Sequence, residues 1–461
     1  MNKTSFLIFF TLCLCVADRA TAQVTVGSLD NPQPFSILEL VGDGMRGFRL
    51  PQMNSCERDA LNLTGNDAAR GLQIFNTSTK CVETWNGSKW IQTCTPEGPP
   101  VPLPSKSSCG ITESDNGHTF TARYDPNAVA HEFFLGEVSQ CVQESNTITF
   151  EETQSLNNVT VKYYYPLSFL KPMMLPVEGS GGGKWKCGEK NEETTANIPS
   201  FKMSKTEITQ AQFEYMIGIN YSWFKCGRAS ATNSYDQKGG ATSILPADYV
   251  TWYEAIAYCN KLSILEGKEI CYTVGNNLKT KEDWENLTYS QIPRDPYNAN
   301  ADWSGAICDF SKNGYRLPTE WEWEYAARGG KSMPAGHSIY SGSDEICDVA
   351  WYEGNNDSGI ECDNTPSNIK GTKPVASKND NYLGLHDMTG NVYEWCWNGT
   401  DEPSSPQTTP TGSVTAPGTS RRIRSSCYVD TKSYSVLSNR TSKYLVPYFF
   451  LDSTGFRVVC K

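Results

Sequence analysis

A proline-rich stretch near residue 100 most strongly constrains how this chain can fold. The sequence PEGPPVPLPSK, residues 96–106, contains five prolines. Proline fixes φ and has no backbone N–H to donate, so such a stretch stays extended and semi-rigid. With 461 residues, the chain is also longer than a single domain built around one hydrophobic core usually is. We therefore expect several domains, with residues 96–106 as a linker between two of them.

The first 22 residues have the pattern of an export signal. Lys3 provides a positive charge, an apolar run extends from Ser5 to Ala17, and the small-residue sequence ATA precedes Gln23. The apolar run is too short to span a bilayer. We expect a cleaved signal peptide at residues 1–22, with a lipoprotein signal as the alternative. The mature protein is then extracellular or on a bacterial cell surface, without insertion into a membrane.

The charge balance excludes one class of partner. The formal net charge is −11 and the isoelectric point is about 5.1. A surface of this sign repels the phosphates of nucleic acids and the head groups of anionic lipids. We therefore expect no nucleic-acid partner.

The cysteines predict one disulfide. Two of the seventeen cysteines lie in the predicted signal peptide, and the remaining fifteen cannot all pair within the chain. In CVETWNGSKWIQTC, a four-residue loop places Trp85 opposite Trp90 and therefore Cys81 opposite Cys94. A Cys81–Cys94 disulfide would close this hairpin. Zinc is not expected, because no CxxC pair occurs and the four histidines stand apart.

Turn signals and strand-like runs divide the rest of the chain. Residues 23–95 form an N-terminal β-rich segment that ends in the tryptophan hairpin. Residues 107–173 contain the runs HTFTARY, HEFFLGEV, NTITFEE and VTVKYYYP, which are typical of a small immunoglobulin-like β-sandwich. Residues 174–461 form a larger C-terminal domain.

Three amphipathic helices are predicted in the C-terminal domain. In TEITQAQFEYM, Thr209 and Gln212 form a capping box, and Thr319 and Glu322 form another in RLPTEWEWEYAARGG. TWYEAIAYCNKL has apolar residues on one side and predicts the third helix. GLHDMTGNVYEWCWN predicts a turn followed by an aromatic strand, and the closing GFRVV predicts a buried strand.

These motifs, in this order, resemble the formylglycine-generating enzyme (sulfatase-modifying factor) family. The resemblance covers residues 174–461 and implies an elaborated C-type-lectin-like fold. We therefore expect a multidomain α+β protein whose C-terminal domain has this fold. Enzymes of the family oxidise a sulfatase cysteine to formylglycine, using a copper ion bound by two cysteines, and relatives include non-haem-iron sulfoxide synthases.

The residues that would carry this chemistry differ here. The two copper-binding positions align with Asp430 and Ser435, while Cys427 lies three residues before the first of them. A carboxylate and a hydroxyl are poor ligands for Cu(I), which prefers thiolates. The iron enzymes need clustered histidine and carboxylate ligands, which the matching region lacks. We therefore expect no catalytic residues and no catalytic cofactor, with an enzyme of this family as the alternative.

The stretch before the final strand resembles the diversified segment of variable proteins from diversity-generating retroelements. In those proteins this segment forms an exposed ligand-binding face on the same lectin-like scaffold. Tyrosine and serine, frequent between Ser425 and Thr454, suit adaptable binding surfaces. The predicted aromatic anchors are Tyr428, Tyr434, Tyr444, Tyr448, Phe449 and Phe450. The predicted charged residues at the rim are Asp430, Lys432, Lys443 and Asp452.

The ligand class follows from this resemblance. We expect a protein or glycan on another cell, or on a phage or host surface. The alternative is that the stretch is ordinary core of a loop-rich fold. The N-terminal segment supports the binding interpretation, because it resembles N-termini of exported surface and tail-fibre-like proteins, and the layout of stalk, spacer and head is typical of an adhesin.

The resemblance also implies a structural calcium site at the turn in TGNVYEW. Its ligands would be the backbone oxygens of Thr389, Gly390 and Val392 and the carboxylate of Glu394. Oxygen ligands of this kind suit Ca²⁺. The alternative is that Glu394 is a buried carboxylate bonded to backbone amides, since a buried charge needs a partner.

Overall fold

The chain divides into two units, residues Met1–Gln52 and Met53–Lys461. The computed structural model describes residues 24–26, 38–40, 50–63, 69–93, 100–104, 111–114, 119–135, 138–143, 147–149, 159–188, 192–225, 241–296, 301–332, 339–356, 362, 369–399, 420–440 and 443–461. In the first unit, strand β1 (Val24–Val26) pairs in parallel with β2 (Leu38–Leu40). The predicted signal peptide lies outside the described residues.

The second unit begins with a small antiparallel meander. Its elements are β3 (Gln52–Met53, which crosses the unit boundary), α1 (Ser55–Ala60), β4 (Gln73–Asn76), β5 (Cys81–Trp85) and β6 (Trp90–Thr93). Trp85 pairs with Trp90, with ring centroids 5.6 Å apart, which confirms the predicted hairpin register. Cys81 is disulfide-bonded. Its predicted partner Cys94 lies outside the described residues, so that pairing stays a prediction.

Two small sheets follow and share one apolar core. Their strands are β7 (Val101–Pro102), β8 (Thr112–Glu113), β9 (Thr119–Thr121), β10 (Ala130–Leu135), β11 (Val138–Gln143), β12 (Thr147–Thr149) and β13 (Val159–Tyr165). The sheet orders are β11-β10-β13-β7 and β12-β9-β8. Phe120 from one sheet packs with Phe133 and Val161 from the other. All four predicted strand-like runs form strands, and the immunoglobulin-like topology stays a prediction.

The proline-rich stretch forms part of a sheet in its described residues. Pro102 and Val101 pair with Tyr164 and Tyr165 at the edge of the first sheet. Proline is tolerated in an edge strand because its missing N–H can face away from the neighbouring strand. Leu103 is buried with Tyr165 and with Ala211 of the C-terminal domain. The described part of the stretch is therefore extended, and apolar side chains fix it between the sheet and the next domain. The bounds of the predicted linker stay a prediction.

The remaining elements belong to the C-terminal domain. Its strands are β14 (Met174–Val177), β15 (Trp185–Cys187), β16 (Glu192–Thr194), β17 (Phe201–Ser204), β18 (Tyr272–Thr273), β19 (Ile307–Cys308), β20 (Tyr393–Gly399), β21 (Arg421–Arg424), β22 (Tyr444–Leu445), β23 (Thr454–Gly455) and β24 (Val459–Cys460). Its helices are α2 (Gln210–Ile217), α3 (Trp252–Leu265), α4 (Lys281–Asn286), α5 (Ala301–Ser304), α6 (Glu320–Ala327) and α7 (Ile346–Val349). The described chain is thus mostly β with some helices.

The predicted helices form where the sequence places their caps. At the start of α2, the Thr209 hydroxyl accepts a hydrogen bond from the backbone N–H of Gln212. At the start of α6, the Thr319 hydroxyl accepts one from the backbone N–H of Glu322. Gly329 adopts a φ of 92°, which glycine alone tolerates easily, just after α6 ends. Both capping boxes and the predicted stop are confirmed. Helix α3 forms as well, across Trp252–Leu265.

The closing sequence GFRVV is buried, as predicted, but it is not one strand. Gly455 pairs with Glu394 in the sheet β22-β21-β20-β23, whereas Val459 pairs with Met203 in the sheet β14-β17-β24. Residues 456–458 cross between these sheets. Phe456 enters the main core, and Arg457 reaches the buried Glu394. The strand is split because these two side chains have partners in different layers.

No helix among the described residues is long and apolar enough to cross a membrane.

Candidate ligand-binding face

Buried ion pairs position the C-terminal stretch. After β21 the backbone turns at Ser425, which has a φ of 69°, and continues through a 3₁₀ helix at Lys432–Ser435 to β22. Arg424 and Arg440, at either side of this helix, both bond to Glu320 of α6. All three side chains are buried. A buried charge left without its partner is costly, so the pairs hold this stretch against α6.

The predicted binding residues differ in accessibility. Lys432, Tyr444 and Phe449 are exposed, and the exposed fractions of Tyr444 and Phe449 are 49% and 45%. Five more are half-buried, namely Asp430, Tyr434, Tyr448, Phe450 and Asp452. Tyr428 and Lys443 are buried. Their assignment to an exposed face is therefore corrected.

The buried side chains of Tyr428 and Lys443 contact other residues inside the domain. The Tyr428 ring packs edge-on against Phe224 at 5.4 Å. The Lys443 ammonium donates to the carbonyl of Ser425 and lies 4.8 Å from the Tyr434 ring centroid. Burial lowers the pKa of Lys443 to about 8, although the nearby Asp430 carboxylate acts in the opposite direction. Both side chains are therefore internal supports.

The two positions aligned with copper-binding cysteines are satisfied by protein groups. One Asp430 oxygen accepts the Tyr393 hydroxyl at 2.7 Å, and the other accepts the N–H of Cys427 at 3.0 Å. Ser435 is buried and donates to the carbonyl of Thr431. Burial raises the pKa of the Cys427 thiol to about 12, so it stays protonated. The described residues at this site therefore offer no thiolate pair.

Aromatic side chains from four separate segments meet at one surface. We name this group the aromatic patch: Tyr221, Trp223, Tyr249, Tyr289, Phe449 and Phe450. Tyr249 connects its two sides, with its ring 5.5 Å from Trp223 and 4.4 Å from Phe450. Tyr221 is 39% exposed and stacks on Tyr289 at 5.0 Å. The patch thus extends the predicted face beyond its own stretch of sequence.

Arg294 holds this patch together. Its guanidinium carbon lies 4.4 Å from the ring centroid of Phe450 and 5.0 Å from that of Tyr221. Its nitrogens donate to the buried Glu254, to the Tyr289 hydroxyl and to the Tyr249 carbonyl. Tyr249 has a φ of 64°, which is unusual for a bulky residue and is kept only where neighbours fix it. Arg294 thus joins Tyr221, Tyr249 and Phe450 from three separate segments of the chain.

Sequence reasoning found Phe449 and Phe450 but missed the other members of the patch. They lie far apart in the chain and have no shared period. The aromatic run YSWF at Tyr221–Phe224 was the one local signal that could have identified part of the patch.

The carboxylate predicted to bind calcium, that of Glu394, is paired within the protein. Both oxygens of Glu394 accept from Arg457, at 2.6 and 2.7 Å, and one also accepts from Trp323. The carbonyl of Gly390 accepts the hydroxyl of Ser425. Among the described residues, no group of three or more histidine, cysteine or acidic side chains could hold a metal ion. The Glu394 carboxylate is thus paired with an arginine rather than with backbone amides, and the calcium site stays a prediction.

Comparison with known families identifies the C-terminal domain. The model of the sulfatase-modifying factor enzyme 1-like domain matches residues 172–461, well over half of the chain. The chain therefore belongs to this family. A second model, described as a phage tail like trimerisation region, matches residues 25–109.

Individual relatives support the same assignment. The chain is 36% identical over 234 residues to the chaperone protein LppX of Paenibacillus barcinonensis, a match that covers 50% of this chain and 73% of that protein. It is 32% identical over 145 residues to the formylglycine-generating enzyme of Thermomonospora curvata, covering 29% of this chain and 44% of the enzyme. The chain therefore spans less than half the length of that enzyme.

A solved structure of a variable protein resembles more than half of this chain. Variable protein 1 of Treponema denticola superimposes with a TM-score of 0.50 and 30% identity, covering 62% of this chain and 94% of that protein. The predicted resemblance to formylglycine-generating enzymes and to variable proteins is confirmed.

Proposed function

We propose that this protein is exported and binds a protein or glycan on another surface through its C-terminal face, without catalysing a reaction. The observation that carries the proposal is the replacement of the copper-binding strip. Asp430 and Ser435 are bonded within the protein, while aromatic side chains of the same stretch, such as Phe449, are exposed. Exposed aromatic groups on a fixed scaffold suit recognition.

The likeness to a variable protein supports a diversified face. The exposed residues Lys432, Tyr444 and Phe449 lie between the buried arginines that fix the fold. Sequencing the DNA beside the gene tests this. We expect a near-copy of the segment encoding residues 425–461, next to a reverse-transcriptase gene, that differs mainly at adenines. Absence of such a copy from the complete genome would refute diversification.

We also propose that residues 25–109 join three chains, because they match a trimerisation region. Three linked heads would bind a surface bearing many ligands far more tightly than one head. Analytical ultracentrifugation of the secreted chain should give the mass of three chains, and deletion of residues 25–95, which keeps the strand at Val101–Pro102, should give one. A full-length monomer would contradict the assembly.

The alternative function is oxidation of a sulfatase cysteine, which the family membership favours. It requires copper-dependent oxygen consumption with a cysteine-containing sulfatase peptide. We expect neither copper binding nor oxygen consumption, since Cys427 is buried and lacks a second thiol at the aligned positions. Oxygen consumption that is lost in Cys427→Ser would favour the enzyme.

A further inference from the structure

We infer that one face of the small meander formed by β4, β5 and β6 is the surface at which copies of this chain pack against one another. The inference rests on the proposed assembly of three chains and adds to it the surface that makes the contact. This face lies on the side of the sheet opposite to helix α1. We name it the open face, and its side chains are Gln73, Phe75, Val82, Thr84, Ile91 and Thr93.

The pairing of the strands separates the two faces of this sheet. Residues that pair across neighbouring strands have their side chains on the same face, and side chains alternate along each strand. Gln73 pairs with Thr84, which pairs with Ile91, and the Gln73 amide donates to the Thr84 hydroxyl. On the other face, the fully buried Glu83 accepts from Arg58 of α1. Helix α1 therefore covers that other face and not the open face.

The open face has apolar side chains that no core receives. Phe75 and Val82 pair with each other and are half-buried, and Ile91 is 42% exposed. None of the three packs against an apolar core formed by the described residues. Ile74, the neighbour of Phe75 that points to the other face, is fully buried. Apolar area left in water is unfavourable, so a second surface that covers the open face would stabilise the protein.

Charge favours a second copy of this chain as that surface. The chain has a net charge of −11, so copies of it repel one another over much of their surface. None of the six side chains of the open face is ionisable, so identical faces can meet without placing like charges opposite each other. The open face also lies within residues 25–109, the region that we propose joins three chains.

The size of the open face defines its place in the contact. Four residues along a strand and three strands across it give about 14 Å by 10 Å. This is smaller than the roughly 800 Å² that each partner buries in a standard interface. We therefore assign the open face to the centre of a larger contact, where truncating a side chain weakens association most.

The mass of the full-length chain, measured by analytical ultracentrifugation over a range of concentrations, tests the inference. Ile91→Glu places a carboxylate on the open face of every copy and should give single chains. Ile91→Thr keeps a branched side chain that suits a strand but loses apolar area. It should raise the concentration at which three chains separate about tenfold or more, the effect of losing one buried aliphatic contact per chain.

Leu61→Glu is the matched control. Leu61 is also an exposed aliphatic residue, at 37%, and it follows α1 rather than lying on the open face. This variant should keep the mass of three chains at every concentration at which the unaltered chain does. Near-ultraviolet circular dichroism should be the same for all variants, which shows that a change in mass does not come from unfolding.

The other outcomes separate this inference from the proposed assembly. If the unaltered chain forms trimers and both Ile91 variants behave like Leu61→Glu, the trimer is held by another surface and the inference is overturned. If the Ile91 variants keep three chains but melt at a lower temperature than Leu61→Glu, a segment of the same chain covers the open face, which also overturns it. An unaltered chain that is monomeric at every concentration would refute both the inference and the assembly.

Discussion

Replacing Arg457 by methionine tests whether an arginine or a metal ion neutralises Glu394. Both side chains are fully buried, and two hydrogen bonds of 2.6 and 2.7 Å join them. Arg457 also donates to the carbonyls of Ser204 and His386. Methionine keeps much of the volume but leaves the Glu394 charge and two carbonyls without this donor.

The expected loss is large because other carboxylates lie nearby. Glu207 and Asp387 both interact electrostatically with Arg457, so its removal leaves three acidic groups in one buried region. Breaking a buried ion pair by removing one partner costs about 3–5 kcal/mol. For a domain of this size that corresponds to a fall in Tm of roughly 6–20 °C. The double variant Glu394→Gln/Arg457→Met should lose less than the sum of the single variants.

Tryptophan fluorescence is a suitable assay for this change. Ten of the twelve tryptophans lie in residues 172–461, so the thermal transition reports mainly on the C-terminal domain. The unaltered chain is heated with and without excess EGTA. We expect no shift in Tm from the chelator, because the carboxylate is already paired.

Opposite results would refute the reasoning. If EGTA lowers Tm by several degrees while Arg457→Met costs under about 1 kcal/mol, Glu394 binds a cation and the arginine contributes little. That pair of results would restore the calcium site expected from the family resemblance.

Three further predictions concern other buried groups. Burial raises the pKa of Asp387 to about 6 from a usual value of 3.8, so its contribution to stability is present at low pH and is lost as pH rises through 6. Asp387→Asn should stabilise the protein by roughly 3 kcal/mol at pH 7 and flatten the dependence of Tm on pH between 4 and 7; an unchanged pH profile would contradict this. Cys427 should resist iodoacetamide at pH 8 until urea is added, as mass spectrometry of its peptide would show, and rapid native labelling would mean that the thiol is accessible. Glu320→Gln should lower the free energy of unfolding, measured in urea, by about 3–5 kcal/mol. Glu193→Gln, which removes an exposed ion pair, should lower it by less than about 0.5 kcal/mol. Equal losses in the two variants would refute the importance of burial.

Local signals explain which parts of the fold could be predicted. Thr319 and Glu322 lie three residues apart, and the hydrogen bonds they make close within one turn of helix. The register of Trp85 and Trp90 depends only on a four-residue loop. Such features form independently of the rest of the chain, and the structure confirms them.

The proposed binding face could be predicted only in part, because the accessibility of its residues depends on distant parts of the chain. Tyr428 and Lys443 have the same residue types as their exposed neighbours, and the stretch has no period that separates inside from outside. Tyr428 is buried because Phe224 packs against it, about two hundred positions earlier in the chain. The split of GFRVV has a similar cause, since Arg457 turns towards Glu394 in another strand.

Three buried arginines tie the C-terminal residues to the rest of the domain. Arg424, Arg440 and Arg457 all lie in the C-terminal stretch, and each bonds to a buried glutamate outside it. The exposed residues between them, such as Lys432 and Tyr444, form none of these ion pairs. Substitutions at exposed positions usually change stability by less than about 0.5 kcal/mol, whereas loss of a buried charge partner costs several times more. Substitutions at Lys432 or Tyr444 should therefore lower the free energy of unfolding far less than substitutions at these arginines.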